Sequence, residues 1–193
     1  MSRTLLILSL AFSIICLSQA NLTAQEFPVA VGSDTSFAQG GAFDGNHYLA
    51  GLVSNHYDLT AQFFQSGGTP YGSRFSLGAT GSGLAMAFDG TKYLAVWTDP
   101  FPIFASGDTN GIGNIHGEFI STSGIVGSNF DLVSNVNLKF SNGRGGLIFV
   151  DTYYFLIYLK GGQHQDHLYC QLIDKSGTFV GSPTQVSSGY ARE

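Results

Sequence analysis

Charge is scarce in this chain. Asp, Glu, Lys and Arg together make up 11% of its 193 residues, too little for the solvated faces of a helical bundle or coiled coil. Apolar residues reach 44%, too many for a disordered chain. Eight basic side chains stand against thirteen acidic ones, a net charge of −5, with no run of Lys or Arg that could neutralise a row of phosphates. Nucleic acid is therefore excluded as a partner. Proline occurs five times and cysteine twice, and Cys16 falls in an N-terminal leader. Its loss leaves Cys170 alone, so no internal disulfide can form and stability must come from packing. No apolar run reaches the ~18 to 20 residues of a spanning helix, so no stable membrane span is expected.

That leader is the first positive feature. Arg3 precedes an apolar stretch from Leu5 to Leu17, and the small residues Ser18 and Ala20 follow. This is the order of a secretory signal, cleaved after Ala20 or alternatively after Ala24. The expected location is secreted or in the cell envelope. Ile15 stands where a lipoprotein signal places a small residue before its cysteine, which argues against lipid attachment at Cys16.

Glycine is abundant, 26 of 193 residues, and aromatics reach 13%. Those proportions suit many short strands joined by tight turns, and the order of the residues shows why: the chain repeats. Ala42-Phe43-Asp44-Gly45-Asn46-His47-Tyr48-Leu49-Ala50 recurs as Ala87-Phe88-Asp89-Gly90-Thr91-Lys92-Tyr93-Leu94-Ala95, and more loosely from Phe149 to Ile157. A second half follows each copy. Leu59 to Phe64 with Gly68 and Gly72 matches Ile115 to Ile120 with Gly124 and Gly127, then Leu168 to Ile173 with Gly177 and Gly181. Short extended pieces close the units at Arg74 to Leu77, Asn129 to Val133 and Pro183 to Val186. A period of roughly 50 residues is in the range of four-stranded propeller blades.

Strand physics supports this reading. Alternation along Tyr93-Leu94-Ala95-Val96-Trp97 makes both faces apolar, so the strand must be covered on both sides. Stacked blades supply that cover. Asp44-Gly45 and Asp89-Gly90 sit between apolar runs as hairpin turns, whereas the third copy has Asp151-Thr152 and must turn differently. Leu59, Ala61 and Phe63 correspond to Ile115, Gly117 and Phe119 and to Leu168, Cys170 and Leu172, a large-small-large face for blade packing. Cys170 is thereby expected as a small buried residue rather than a reactive thiol.

The Phe-Asp-Gly turn, the Tyr-Leu-Ala-Val-Trp strand and the paired glycines resemble the repeats of secreted bacterial β-propeller proteins. The resemblance covers nearly all of the chain after about Phe27. It implies an all-β fold, an incomplete array of about three four-stranded antiparallel blades, and no particular activity. The expected organisation is a signal peptide at 1–20, an N-terminal segment with a lone strand at 21–40, and repeats at 41–78, 79–134 and 135–187. A tail, or the start of a further repeat, occupies 188–193. Propellers have about four to eight blades, so three repeats point to a partial ring, to completion by self-association, or to an open stack with an exposed edge.

By analogy with propellers, the loops joining second to third strands share a binding rim. They are Ser54 to Asp58, Thr98 to Asn114 and Lys160 to His167. The middle loop is longest and carries Phe101, Phe104, Asp108 and Asn110, which combine exposed aromatics with oxygen ligands. These four are the candidate ligand-binding residues. Asp108-Thr109-Asn110-Gly111 resembles the start of a calcium loop but lacks the later carboxylate. His56, His116, His164 and His167 lie near the same rim without a metal-binding geometry, and His47 turns at the opposite one. No cofactor or metal is expected, and there is no nucleophile elbow, phosphate loop or His-Glu-x-x-His helix. Asp44 and Asp89 read as turn residues.

The expected function is a secreted, noncatalytic propeller scaffold or recognition module with a protein or glycan ligand. One alternative is a glycan-active enzyme using paired carboxylates such as Asp99 and Glu118. Another is a nonfunctional fragment of a longer propeller protein.

Overall fold

The computed structural model describes residues 36–99, 112–137, 146–160 and 167–188. Their regular structure is all β. The first sheet holds β1 (Ser36–Phe43), β2 (His47–Ser54), β3 (Asp58–Gln65) and β4 (Pro70–Thr80). The second holds β5 (Ser82–Phe88), β6 (Tyr93–Thr98), β7 (Ile112–Ser121) and β8 (Gly124–Asn137), and the third β9 (Gly146–Val150), β10 (Tyr153–Lys160), β11 (His167–Ile173) and β12 (Phe179–Gln185). Each sheet is an antiparallel meander in sequence order. The sheets take in 36–80, 82–137 and 146–185, against repeats read at 41–78, 79–134 and 135–187. The lone strand expected at Phe27 to Val31 lies outside the described residues. No described helix is long and apolar enough to cross a membrane.

The sheets stack like blades. Their first strands converge, β1 on β5 and β5 on β9, and a Cβ added to Gly40 of β1 would stand 2.6 Å from the Leu84 carbonyl oxygen of β5. Glycine permits that approach of one backbone to another. Each blade has a leading face, toward the preceding blade, and a trailing face, toward the next. Leu49, Val53, Leu59, Ala61 and Phe63 on the trailing face of blade 1 pack against Leu84, Met86, Tyr93, Ala95 and Trp97 of blade 2. Leu94, Val96, Ile115 and Phe119 on the trailing face of blade 2 pack against Leu147, Tyr154, Leu156, Tyr158 and Ile173 of blade 3. The alternation in β6 thus divides between two cores, and all six of its side chains are buried.

The hairpins hold one correction to the sequence reading. In blades 1 and 2 a four-residue turn joins partners Phe43 and Tyr48, and Phe88 and Tyr93, whose rings lie 4.5 and 4.8 Å apart. In blade 3 the equivalent aromatic pair is Phe149 and Tyr154, 5.0 Å apart. The third copy is therefore displaced by one residue from its sequence alignment, and Val150, not Asp151, takes the position of Asp44 and Asp89. The reason is the tighter turn: Val150 pairs with Tyr153 around Asp151-Thr152, with Asp151 at φ +58°.

Cys170 departs from expectation as well. Its counterparts Ala61 and Gly117 are buried, but Cys170 is only half-buried. It lies on the trailing face of blade 3, which no further described blade covers.

Candidate functional site

The rim of the middle blade is built by the ends of three strands. β6 ends beside Asp99, and β7 returns antiparallel with Thr98 opposite Ile115, which brings His116 back to the same level. An irregularity in the β7–β8 ladder sets His116 opposite Asp131. The imidazole consequently spans two carboxylates, with Nε2 2.8 Å from Asp99 Oδ1 and Nδ1 2.8 Å from Asp131 Oδ1. Neutral imidazole has one N–H and can donate to one of them, whereas imidazolium donates to both. Asp99 Oδ2 accepts the Asn114 N–H at 2.8 Å, which closes the base of the long loop. Trp97 packs beside the imidazole, ring centroids 6.0 Å apart. Asp99 and Asp131 remain substantially open to solvent, so the cluster can meet a polar ligand at its edge.

Glu118 has a different environment. The β3–β4, β7–β8 and β11–β12 ladders each slip at one corresponding position, where Gln62, Glu118 and Gln171 stand. Such a bulge leaves backbone groups unpaired. In blade 1 the Gln62 side-chain nitrogen donates to the carbonyls of Phe63, Tyr71 and Gly72, at 2.9, 3.1 and 3.2 Å. Gln171 does the same for Leu172, Val180 and Gly181, at 3.0, 3.0 and 3.4 Å. Glycines with φ of +68°, +89° and +71° accommodate the bulges at Gly72, Gly127 and Gly181. In blade 2 a carboxyl fills the amide position. Its Oε2 is buried without a hydrogen bond, and loss of solvent pushes the Glu118 pKa up to about 7. A sugar could not reach a side chain this deeply enclosed, with 3% of the residue exposed.

Asp44 and Asp89 are turn residues, as the sequence implies, with an added tie between blades. Asp44 Oδ1 accepts the Asn46 and His47 N–H groups at 2.7 and 2.6 Å, and Asp89 Oδ1 accepts those of Thr91 and Lys92, both at 2.8 Å. Each carboxylate also lies near a tyrosine of the following blade, Asp44 near Tyr93 and Asp89 near Tyr154; Tyr93 Oη and Asp89 Oδ2 are buried without a hydrogen bond, and Tyr154 Oη donates to the Lys92 carbonyl at 3.5 Å. Burial alone would raise the pKa of both carboxyls; their hydrogen bonds outweigh it and hold both below the usual carboxylate value. Burial and the adjacent carboxylates push the Tyr93 and Tyr154 hydroxyls far up. Lys175 of blade 3 adds a further link, its Nζ donating to the Asp89 carbonyl at 2.9 Å.

The candidate ligand residues Phe101, Phe104, Asp108 and Asn110, and with them the calcium-like segment, lie outside the described residues, as does His164. The structure brings together Asp99 and His116, which sequence reasoning placed on one rim without joining them. Asp131 was missed, because only the slipped ladder puts it opposite His116. Of the other histidines, His56 sits in the Ser54 to Asp58 turn, His167 Nδ1 lies 3.2 Å from the Gln185 amide nitrogen, and His47 stacks on Tyr71 at 4.4 Å. Between the outer edges of blades 1 and 2 lies a cavity of about 420 Å³. Tyr71, Phe75, Ser73 and Ser123 are among its lining.

Three meandering sheets, stacked face to face with converging inner strands, define blades of a β-propeller. Solved structures agree on the fold. The chain is similar to the subtype N10 neuraminidase-like protein of A/little yellow-shouldered bat/Guatemala/060/2010, with a TM-score of 0.53, 14% identity, and coverage of 84% of this chain and 47% of that one. A neuraminidase-like protein from A/bat/Guatemala/164/2009 gives a TM-score of 0.52 and 13% identity over 86% of this chain and 47% of that one. The chain therefore spans about half the length of these neighbours. No family model matches it, and no curated protein sequence does.

Proposed function

We propose that the chain is an exported, noncatalytic propeller scaffold or recognition module whose protein or glycan ligand meets the rim at the middle loop, beside Asp99, His116 and Asp131. One observation carries this reading: both carboxylates of the enzyme alternative are occupied by structural roles. Asp99 is held by His116 and Asn114, and Glu118 is enclosed at a strand bulge. A glycosidase requires two carboxyls facing one linkage, and an enclosed one cannot take that part. The segment read as the middle loop joins two paired strands, β6 and β7, and a loop on such a scaffold is suited to binding. Export rests on the order of Arg3, the apolar stretch from Leu5 to Leu17, and Ala20.

A glycan array and a hydrolysis assay on the same glycans test the proposal. The expected result is binding without release of sugar, lost when Phe101, Phe104, Asp108 and Asn110 are replaced by alanine. Turnover abolished by Asp99→Asn or Glu118→Gln would instead establish the enzyme.

A further inference from the structure

The two joints between blades are built alike, yet one of them is open. At the rim opposite the middle loop, the hairpin between the third and fourth strands of a blade lies beside an aromatic pair of the blade before it. Gly177 in the β11–β12 hairpin sits on Phe119 and Phe130 of blade 2: a Cβ added there would stand 2.8 Å from the Phe130 ring and 3.3 Å from that of Phe119. Phe63 and Phe75 of blade 1 take the same ladder positions, with ring centroids 5.9 Å apart against 5.4 Å for Phe119 and Phe130. The β7–β8 hairpin does not reach them. Gly124, the counterpart of Gly177, has nothing within 4 Å of an added Cβ among the described residues. Hairpin length explains the difference. Ser121 pairs with Gly124 across Thr122 and Ser123 alone, whereas the whole segment from Asp174 to Thr178 joins Ile173 to its partner Phe179. The shorter turn leaves open the cavity of about 420 Å³ between blades 1 and 2.

We propose that this cavity binds a small neutral pyranose sugar, at a site separate from the cluster of Asp99, His116 and Asp131 and independent of the reading given to it. Its lining selects that chemistry. Phe63, Phe75 and Tyr71 supply an aromatic wall, and Tyr71, 45% exposed, is held in place by His47 stacked on it at 4.4 Å. The negative face of an aromatic ring suits the positively polarised C–H bonds on one side of a sugar ring. Ser73, Thr122 and Ser123 border the same space, and a hydroxyl both donates and accepts, as those of a sugar require. The Ser73 and Thr122 side chains make no hydrogen bond among the described residues, so the fold does not occupy them. No charged side chain is among the described lining residues, and an ionic ligand would be desolvated there without a counter-charge. The wall is also set before any ligand arrives. Gln62 Nε2 donates to the Tyr71 and Gly72 carbonyls at 3.1 and 3.2 Å, which fixes the bulge that carries Ser73; such preorganisation lowers the cost of binding. The volume is in the range of small-molecule pockets.

Saturation-transfer NMR on the full chain tests the proposal. The probes are glucose, galactose, mannose and N-acetylglucosamine, each as the free sugar and as its methyl glycoside, so that transfer to the glycosides assigns the end of a glycan and transfer to the free sugars alone assigns a free monosaccharide. The expected result is transfer to at least one probe, with a Kd on the order of 1 mM and amide shift changes centred on Ser73, Thr122, Ser123 and Gly124. Tyr71→Ala should weaken binding roughly tenfold. Thr122→Trp, which puts a ring into the open joint, should abolish it. Both positions are exposed, and both variants should retain the β circular dichroism of the parent. Ser128→Ala, at the counterpart of Ser73 in the closed joint, should bind as the parent does. Methyl glucuronide should bind more weakly than methyl glucoside. No transfer to any probe, shift changes centred elsewhere, binding unaltered in both Tyr71→Ala and Thr122→Trp, or a preference for the glucuronide overturns the proposal. Replacing Phe101, Phe104, Asp108 and Asn110 by alanine should leave this binding intact, so the cavity and the rim stand or fall separately.

Discussion

Blade 2 and its neighbours are built from the same repeat but live in different surroundings. Tyr93 of the middle blade is fully buried between β6 and the blade 1 core, and Tyr48, at the same motif position, is 41% exposed. The motif fixes a strand, a turn and an aromatic pair. Burial is conferred by what stacks on the outside. Polar positions show a second contrast: flanking blades close their third-strand bulge with an amide, and the middle blade does so with a carboxyl that cannot donate when ionised.

The largest effect should come from that aromatic position. Tyr93→Ala empties a packed interface and should cost about 3 to 5 kcal/mol of unfolding free energy. Tyr48→Ala should cost about 1 kcal/mol or less, the worth of its ring contact with Phe43. Urea midpoints compare the two; equal losses would break the contrast between inner and outer blades.

Glu118 should produce the next effect. Its folded-state pKa of about 7 lies above the ordinary glutamate value near 4.5. Stability held by the neutral carboxyl is therefore complete below that ordinary value and is lost as pH rises through about 7. The fall from acid to mildly alkaline pH should be on the order of 3 kcal/mol. Glu118→Gln should remove this slope and raise stability at pH 8, since the amide can donate to the bulge carbonyls as Gln62 and Gln171 do. Gln171→Glu should move the same pH dependence into blade 3. Denaturation measured in steps from pH 4.5 to 8.5 checks both.

Gly40→Ala should follow, at about 1 to 3 kcal/mol, because the added methyl meets the Leu84 backbone, which cannot yield as a flexible side chain would. Gly146→Ala in β9, where nothing lies within 4 Å of the added carbon, should be near neutral, with urea midpoints of the two variants as the check. The smallest contrast separates Asp89 from Asp174. Both carboxyls sit below their usual pKa: for Asp89 hydrogen bonds outweigh the opposing effect of burial, and for Asp174 those from Ser176 and Thr178 act in the open. Each stabilises the fold above the ordinary Asp value and ceases to do so as pH falls through the lowered one. Asp89→Asn should weaken the acid limb of stability more than Asp174→Asn, because solvent screens the exposed turn.

The repeat, the two-sided β6 strand, the Asp-Gly hairpins and the small slots at Ala61 and Gly117 were all legible in the sequence. Each follows from local rules of alternation, turn geometry and side-chain size, and each recurs. The one-residue displacement of the third copy was not legible, because Asp151 attracts the alignment while ring pairing between Phe149 and Tyr154 fixes the register. The partnership of His116 with Asp131 was hidden for a similar reason, since a slipped ladder has no signature in residue order.

By itself the sequence determined that the chain forms four-stranded units with apolar faces on both sides, since period-two alternation of large apolar residues leaves no wet face. Only the tertiary structure decided which faces are covered, where the third-strand bulges place their three polar side chains, and which carboxylates share one imidazole. Those outcomes depend on contacts between strands distant in the chain and on ladder slips, which the order of residues along a single strand does not encode.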